Sequence, residues 1–185
     1  PYRRQRQMCI RDRLDIVTDE SGNKVVLLPE IIFSNKQNIN WDDVEDYLGK
    51  YVGELIEIAE TRDIIYIGNK FPDEYGGSSY TRKTKGARAK AKANAAQGIR
   101  EMVEIATDKV YRENHKEKHS EDAHNGWFYY VTRFAIPLYN NEKKTGEYNV
   151  YSACLVVNHA ANRKMYLYDV VDIKKEASNP LKTNK

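Results

Sequence analysis

The chain has 185 residues with a formal net charge of +3, and 41% of its residues are hydrophobic and 31% charged. This length fits one domain with a sizeable core, and the apolar share is too high for a disordered chain. No apolar run reaches the 18 residues that a membrane-spanning helix needs. The two cysteines, Cys9 and Cys154, lack metal-ligand spacing. They argue for a reducing compartment and against a disulfide framework.

The N-terminal stretch 1–13 (PYRRQRQMCIRDR) contains five Arg and lacks the periodicity of a helix or a strand. The stretch lacks the hydrophobic region that a signal peptide requires. It resembles sequencing-adapter DNA that has been translated as protein, so we exclude it from the prediction of the fold. The alternative is a natural basic arm that binds nucleic acid. Removing its five Arg and one Asp from the 30 basic and 27 acidic residues leaves 25 against 26. Any basic surface of the remaining domain is therefore local.

The first elements after this leader are predicted to be short. Apolar runs at 25–28 and 31–33 flank Pro29, which favours an edge or connecting strand. Asn40 precedes Trp41 and two acids, a pattern typical of a capped helix start, and this helix is expected to end at Gly49.

The middle of the chain changes from strands to helices. Two short strands are predicted at 55–59 and 64–67, and the Pro-, Gly- and Ser-containing stretch 69–80 indicates a loop. The Ala-rich stretch 84–97 predicts a helix, and Gly98 separates it from a second apolar helical pattern at 99–106. Three alanines of the first helix lie at helical spacing and form a narrow stripe that would permit close packing. They are Ala87, Ala91 and Ala95.

The last third predicts an antiparallel meander. Alternating apolar residues define strands at 127–139, 148–158 and 165–173, separated by polar turns at 140–146 and 161–163. Helices followed by such a sheet predict an α+β fold, with N-terminal helices packed on an antiparallel sheet that ends in a three-strand meander.

We divide the chain accordingly into four segments. After the leader, 14–60 forms an N-terminal strand and helix segment, and 61–175 forms the main α+β domain. The polar stretch 176–185 contains a proline and is expected to be a loose tail.

A basic run is the first candidate functional feature. Lys85, Arg88 and Lys92 share a helix face at i, i+3 and i+7, and Tyr75 and Tyr80 precede them as stacking surfaces. Such a stripe can neutralise phosphates. The alternative is a solvated helix face, although no acid interrupts the run. The run places six cations within eleven residues: Arg82, Lys83, Lys85, Arg88, Lys90 and Lys92.

Three of the four histidines lie within the ten residues from His115 to His124. His115 and His119 have the i, i+4 spacing of metal ligands, but Lys116 stands where a zinc protease has its glutamate, and no third ligand is evident. Acid–base chemistry by His119 beside Lys118 fits better, since imidazole titrates near neutral pH and Lys stabilises phosphate charge. The alternative is an exposed polar loop.

Arg133 interrupts an otherwise apolar strand, and such an Arg is either paired or functional. Folding the meander places it near Ser152, with Tyr166 and Tyr168 beyond, so these polar side chains are predicted to line one concave face of the sheet. The alternative is an Arg paired with Asp169 or another carboxylate.

Four stretches between residues 64 and 181 resemble a family of bacteriophage domains. They read IGNKFPDEY, KAKANAAQGI, KHSEDAHNGWFYYVTRFAIPLY and KMYLYDVVDIKKEASNPL. These stretches look like the phage barnase–EndoU–colicin–RelE-like nuclease domains. Such domains, with the polyvalent-protein-associated domains near them, occur at the end of large phage polypeptides, including those with a Mu-type head-morphogenesis domain.

The resemblance implies a barnase- or RelE-like arrangement of helices followed by a four-stranded antiparallel sheet. It also implies metal-independent RNA cleavage by His, Arg, Lys and hydroxyl side chains. The positions that match are His119, Arg133, the YLYD residues 166–169 and the IKKE residues 173–176. Where the family suggests an Arg beside His159, this chain has an Asn, so no catalysis is placed there.

The resulting hypothesis is a phage-encoded endoribonuclease without a cofactor. A base takes the ribose 2′-OH proton, the 2′-oxygen attacks phosphorus, and cations hold the added negative charge. His119 is assigned as the acid or base, Lys118 and Arg133 as phosphate stabilisers, and Tyr168 as an orienting hydroxyl. The expected nucleic-acid contacts are Arg82, Lys85, Arg88, Lys92 and Lys174.

The expected partner is nucleic acid, RNA rather than DNA, together with other virion or head-morphogenesis proteins and no membrane. The expected location is the cytoplasm of a bacterial host or the virion. The main alternative is a non-catalytic module of a phage polyvalent protein that binds nucleic acid or a virion protein. An ADP-ribosyltransferase is a further alternative, but no convincing catalytic Glu supports it.

Overall fold

The computed structural model describes residues 13–35, 37–119, 121–176 and 180–183, so all of the predicted leader except Arg13 lies outside it. The α-helices are α1 (Trp41–Leu48), α2 (Phe71–Gly77), α3 (Ser79–Lys83), α4 (Gly86–Ala95) and α5 (Ile99–Glu104). The strands are β1 (Ile16–Thr18), β2 (Lys24–Leu27), β3 (Leu55–Glu57), β4 (Ile64–Tyr66), β5 (Thr107–Arg112), β6 (Trp127–Asn140), β7 (Lys143–His159), β8 (Met165–Lys175) and β9 (Leu181–Lys182).

The nine strands belong to one sheet in the order β1-β2-β6-β7-β8-β4-β3, with β5 paired to β6 and β9 paired to β7. The long central strands β6, β7 and β8 form the antiparallel meander that the sequence predicts. Two pairs, β2–β6 and β4–β8, are parallel. The α+β class is therefore confirmed, but the sheet is mixed rather than antiparallel.

Most of the core lies on one face of this sheet, where the helices pack. Tyr130 and Phe134 of β6 and Leu155 of β7 meet Tyr75 of α2 and Met102 of α5 there, all fully buried. The opposite face carries smaller apolar clusters. No helix in the described part of the chain is long and apolar enough to cross a membrane.

The capped helix is confirmed, but the predicted loop at 69–80 is wrong. Asn40 caps α1 by accepting a hydrogen bond from Asp42 N at 3.2 Å. Residues 69–80 instead hold all of α2 and the start of α3, with Pro72 in the first turn and Ser78 as the N-cap of α3. The Pro and Ser that suggested a loop are helix-start residues here.

The predicted strand at 31–33 and the predicted loose tail at 176–185 both differ from the structure. The apolar run 31–33 is not a strand, because the Asn94 side chain binds the backbone N–H groups of Ile32 and Phe33 at 2.9 and 3.2 Å. A buried amide thereby replaces the hydrogen bonds that a neighbouring strand would supply. The tail contains β9, which anchors Leu181 and Lys182 beside β7.

The Ala-rich helix α4 is confirmed, but its cationic face is not. Ala91 and Ala95 are fully buried as the stripe predicts, whereas Ala87 is exposed. Lys92 is 0% exposed, so it cannot bind an external phosphate as the sequence suggested. The second half of α4 is enclosed between the sheet and the other helices, and it buries residues on every side.

Lys92 forms an ion pair with Asp169 of β8, with 2.6 Å between Nζ and Oδ1. Its ammonium also donates to Thr81 Oγ1 at 2.7 Å, and it lies over the rings of Tyr75 and Tyr80 at 4.6 and 5.0 Å. Burial lowers the pKa of Lys92 and raises the pKa of Asp169, and in each case the partner's charge opposes the shift. The pair links α4 and α3 to β8.

A β-bulge brings Tyr168 and Asp169 to this position. Val156 of β7 lies opposite Asp169, whereas the next residue, Val157, lies opposite Leu167, so Tyr168 is an extra residue in β8. Such a bulge re-aims side chains. Here Asp169 pairs with Lys92 while Tyr168 packs on Trp127, whose ring centroid is 5.0 Å away.

We expect the Lys92→Met substitution to lower the free energy of unfolding by about 3–5 kcal/mol, because it leaves the Asp169 carboxylate buried without its cation. Urea unfolding measures the change. The Lys92→Met/Asp169→Leu double variant is the matched control and should recover most of that loss, since it buries no charge. A single variant that loses less than about 1 kcal/mol would show that the pair contributes no more than an exposed ion pair does.

Candidate functional site

An open groove of about 730 Å³ lies on the sheet face opposite the main core. Its floor is formed by side chains of β6, β7 and β8, one wall by α2 and α3, and the other wall by the end of β5 and the following connection to β6. Four of the predicted site residues line it: Arg82, Lys118, His119 and Tyr168.

Three rings meet edge to face at the centre of the groove. The ring centroid of His119 lies 5.4 Å from that of Trp127 and 5.8 Å from that of Tyr168, and the rings are nearly perpendicular in each pair. Gly126 precedes Trp127 with φ of +94°, and an added Cβ would meet Arg112 O at 2.8 Å. A glycine is therefore required for the chain to enter β6 at this point.

The mouth of the groove is rich in cations. Arg82 on α3 and Arg112, Lys116 and Lys118 on the other wall are all exposed. The Arg112 guanidinium lies 5.1 Å from the centroid of the Tyr129 ring, a cation–π arrangement that leaves the charge available to solvent.

Few carboxylates offset these charges among the described lining residues. Asp169 is neutralised by Lys92, and Glu74 lies beside Tyr168, whose pKa is raised by burial and by the charge of Glu74. Glu113 is exposed beside the cations. The groove therefore presents an excess of positive charge around half-buried tyrosines, which suits a polyanion that also carries flat rings.

His119 is held as a neutral imidazole. Burial beside Trp127 and Tyr168 and the nearby charge of Lys118 lower its pKa below the ordinary 6.5. Its Nδ1 is buried and has no hydrogen-bond partner among the described residues. A buried lone pair is tolerated more readily than a buried unpaired N–H, so we assign the proton to Nε2. In that tautomer the ring is a hydrogen-bond donor rather than a base.

Arg133 does not join this group. Its Nε donates to Glu176 at 3.0 Å, so the carboxylate-paired alternative from the sequence is the one observed. Arg133 and Trp127 lie on the same strand six residues apart, which separates their Cα atoms by about 20 Å. Arg133 lies opposite Ser152 as expected, but His119 and Arg133 cannot hold one phosphate together.

The remaining predicted contacts lie outside the groove. Lys85 and Arg88 are exposed at the start of α4, and Lys174 is exposed near the end of β8. None of the three lines the groove. Arg133 and Tyr166, which were expected to line one face of the sheet with Tyr168, do not line the groove either.

The groove is also lined by Trp127, Tyr129, Arg112 and Lys116, which were not among the predicted site residues. The sequence did contain a signal for Trp127 and Tyr129. Both are large aromatic residues at outward positions of a strand, which is unusual for a sheet face that is fully exposed to solvent. No sequence signal placed Arg112 or Lys116 beside them, since the bulge in β5 and the long connection set their positions.

The described residues include no group of three or more His, Cys, Asp or Glu that could hold a metal ion. Cys154 is half-buried in β7, and burial raises the pKa of its thiol to about 11. The thiol therefore stays protonated at neutral pH, which suits packing rather than nucleophilic attack.

No family model matches the chain, and neither the curated proteins nor the solved structures contain a significant match. The resemblance to phage nuclease domains therefore stays a prediction.

In an NMR titration, we expect the pKa of His119 to lie below 6.5. Substituting Lys118 with Gln removes a cation that disfavours the imidazolium, so the pKa of His119 should rise. Lys174→Gln removes a cation outside the groove and should leave it unchanged. A His119 pKa above 6.5 in the parent protein would contradict the buried position of the ring.

Proposed function

We propose that the groove binds single-stranded nucleic acid, with RNA as its natural ligand. The observation that supports this is the convergence of four exposed cations and three half-buried tyrosines on one open surface. The cations contact successive phosphates, and the rings of Tyr80, Tyr129 and Tyr168 offer surfaces for unstacked bases. A duplex has no unstacked bases to offer, so the single strand is preferred.

The neutral His119 fits this role as a donor. An Nε2–H that meets a phosphate oxygen or a base acceptor positions the strand without a change of protonation state. The edge-to-face contacts with Trp127 and Tyr168 hold the ring in one orientation. The site is therefore formed before the ligand binds, so binding loses little side-chain conformational entropy.

RNA cleavage is the second candidate, and Glu74 is the observation that favours it. This carboxylate and His119 line the same groove, with Lys118 next to the histidine. In this reaction Glu74 takes the 2′-OH proton, the 2′-oxygen forms a bond to phosphorus, and the bond from phosphorus to the 5′-oxygen breaks. The Nε2–H of His119 protonates the leaving 5′-oxygen, and Lys118 stabilises the added charge on the phosphate, so the step needs no metal. The barnase- or RelE-like arrangement, a phage polyvalent protein as the source, virion partners and a bacterial cytoplasmic location all belong to this proposal.

Binding is tested with a labelled single-stranded RNA 12-mer, measured by fluorescence anisotropy at several salt concentrations. The Arg82→Gln/Lys118→Gln variant should bind more weakly, and the slope of log K against log salt should shrink by about 1.4 units, since each phosphate contact contributes about 0.7.

The matched control for binding is Lys85→Gln/Arg88→Gln, which removes two cations outside the groove. It should leave both the affinity and the salt slope close to those of the parent. If this control loses affinity while the groove variant does not, the start of α4 is the interface and the groove proposal is wrong.

Cleavage is tested by incubating the protein with RNA in EDTA and looking for 2′,3′-cyclic phosphate ends. If the second candidate holds, His119→Ala and Glu74→Gln should each slow cleavage by about 100-fold or more. Arg133→Gln should cleave like the parent, because Arg133 lies outside the groove. Parent protein that cleaves no faster than His119→Ala restricts the function to binding.

A further inference from the structure

A second cavity, of about 300 Å³, adjoins the groove across Tyr168 and Glu74, which line both. Its walls are largely apolar and aromatic, formed by Phe71 of α2 and by Tyr166 and Leu167 of β8. Gly68 allows the Tyr166 ring to lie against the chain, since an added Cβ would stand 3.3 Å from Cδ1 of that ring. The size suits a small organic group rather than a chain of residues.

Asn158 supplies a fixed acceptor to this cavity. The residue is 7% exposed, and its Nδ2 donates to Asp122 O at 2.5 Å, which sets the orientation of the side-chain amide. No described residue donates a hydrogen bond to its Oδ1, and this oxygen is not fully enclosed, so a molecule in the cavity can reach it. A ligand that donates a hydrogen bond here meets an acceptor whose orientation is already fixed.

The charge of the cavity excludes a phosphate. Glu74, Glu121 and Asp122 line it, and Lys70 is the cation that partly offsets them, through an ion pair with Asp122 at 2.8 Å. An anion would be repelled, whereas a neutral ring with amino donors finds acceptors at its edge and apolar surfaces above and below. The groove and this cavity therefore differ in the sign of their charge.

We propose that this cavity binds a nucleobase that carries an exocyclic amino group. The proposal rests on the proposed function, because the base is one that leaves the stack of the strand bound in the groove. Its phosphates stay with the cations while the base passes Tyr168 and donates its amino group to Asn158 Oδ1. Unstacked bases are commonly recognised in this way, by stacking and by hydrogen bonds to their edges.

Calorimetry with free nucleosides tests this inference on the parent protein, because a nucleoside has no phosphate and does not depend on the groove cations. Adenosine should bind at least ten-fold more tightly than purine riboside, which lacks only the amino group. Guanosine should likewise bind at least ten-fold more tightly than inosine, which lacks the amino group of guanosine. Equal affinities within both pairs, or no binding of any nucleoside at millimolar concentration, would overturn the proposal.

Two substitutions locate the contact. Asn158→Asp retains an acceptor but loses the hydrogen bond to Asp122 O, so it should keep part of the preference for adenosine, whereas Asn158→Leu should remove the preference. A preference that survives in folded Asn158→Leu overturns the assignment to Oδ1. Should Asn158→Leu fail to fold, since Asn158 also holds Asp122 O, the nucleoside pairs on the parent protein still decide.

The outcomes separate the two proposals. Nucleoside discrimination without oligonucleotide binding supports the cavity and contradicts the groove. Oligonucleotide binding without nucleoside discrimination supports the groove proposal and contradicts the cavity proposal. An abasic oligonucleotide, which keeps the phosphates, should bind the groove in proportion to its charge and should not compete with adenosine.

Discussion

The buried ion pair between Lys92 and Asp169 is the interaction on which the arrangement of the groove depends. Taking two charges out of water is costly, and the cost is recovered only when both groups are closely paired and hydrogen-bonded. Lys92 meets that condition through Asp169, Thr81 and the rings of Tyr75 and Tyr80. The pair therefore requires α2, α3, α4 and β8 to pack in one arrangement, which fixes one wall of the groove and part of its floor.

Two adjacent residues of β8 serve two surfaces, and the bulge determines which two residues these are. An ideal strand alternates its side chains between faces, and a single extra residue shifts that alternation by one position along the strand. Asp169 reaches Lys92 of α4, while Tyr168 stays with Trp127 and His119 in the groove. Tyr80 covers the open edge of β8 by accepting a hydrogen bond from Ile173 N at 2.9 Å. This hydrogen bond occupies one of the backbone donors that an open edge would otherwise offer to another chain.

Local patterns predicted the elements that are set by local physics. The capped helix at Asn40 and the three strands of the meander follow from nearest-neighbour chemistry and period-2 burial. The helices in 69–80 were missed because Pro72 and Ser78 suit both loops and helix starts. The parallel pairs were missed because β2 and β4 join strands that are far away in sequence. Pairing over such distances leaves no trace in a local window.

The site was predicted only in part, because the contacts that assemble it also join residues that are far apart in the sequence. His119, Lys118 and Tyr168 line one groove with Arg82, but Arg133 was grouped with them only because it also lay on the sheet. Distance along a strand separates it, and Glu176 neutralises it. Lys92 looked like its neighbours in a cationic run, and nothing in a helical pattern distinguishes an exposed Lys from one enclosed by three other elements. The buried partner that distinguishes it is 77 residues away.

Charge is divided across the wall formed by Tyr168 and Glu74. On one side Arg82, Arg112, Lys116 and Lys118 attract phosphates. On the other side Glu121 and Asp122 repel them and leave acceptors for neutral donors. Burial together with the charge of Glu74 raises the pKa of Tyr168, so the hydroxyl remains a donor at neutral pH. A nucleotide has the same division, with an anionic backbone and a neutral base. The two surfaces together therefore match the two parts of one ligand better than either surface matches a ligand of its own.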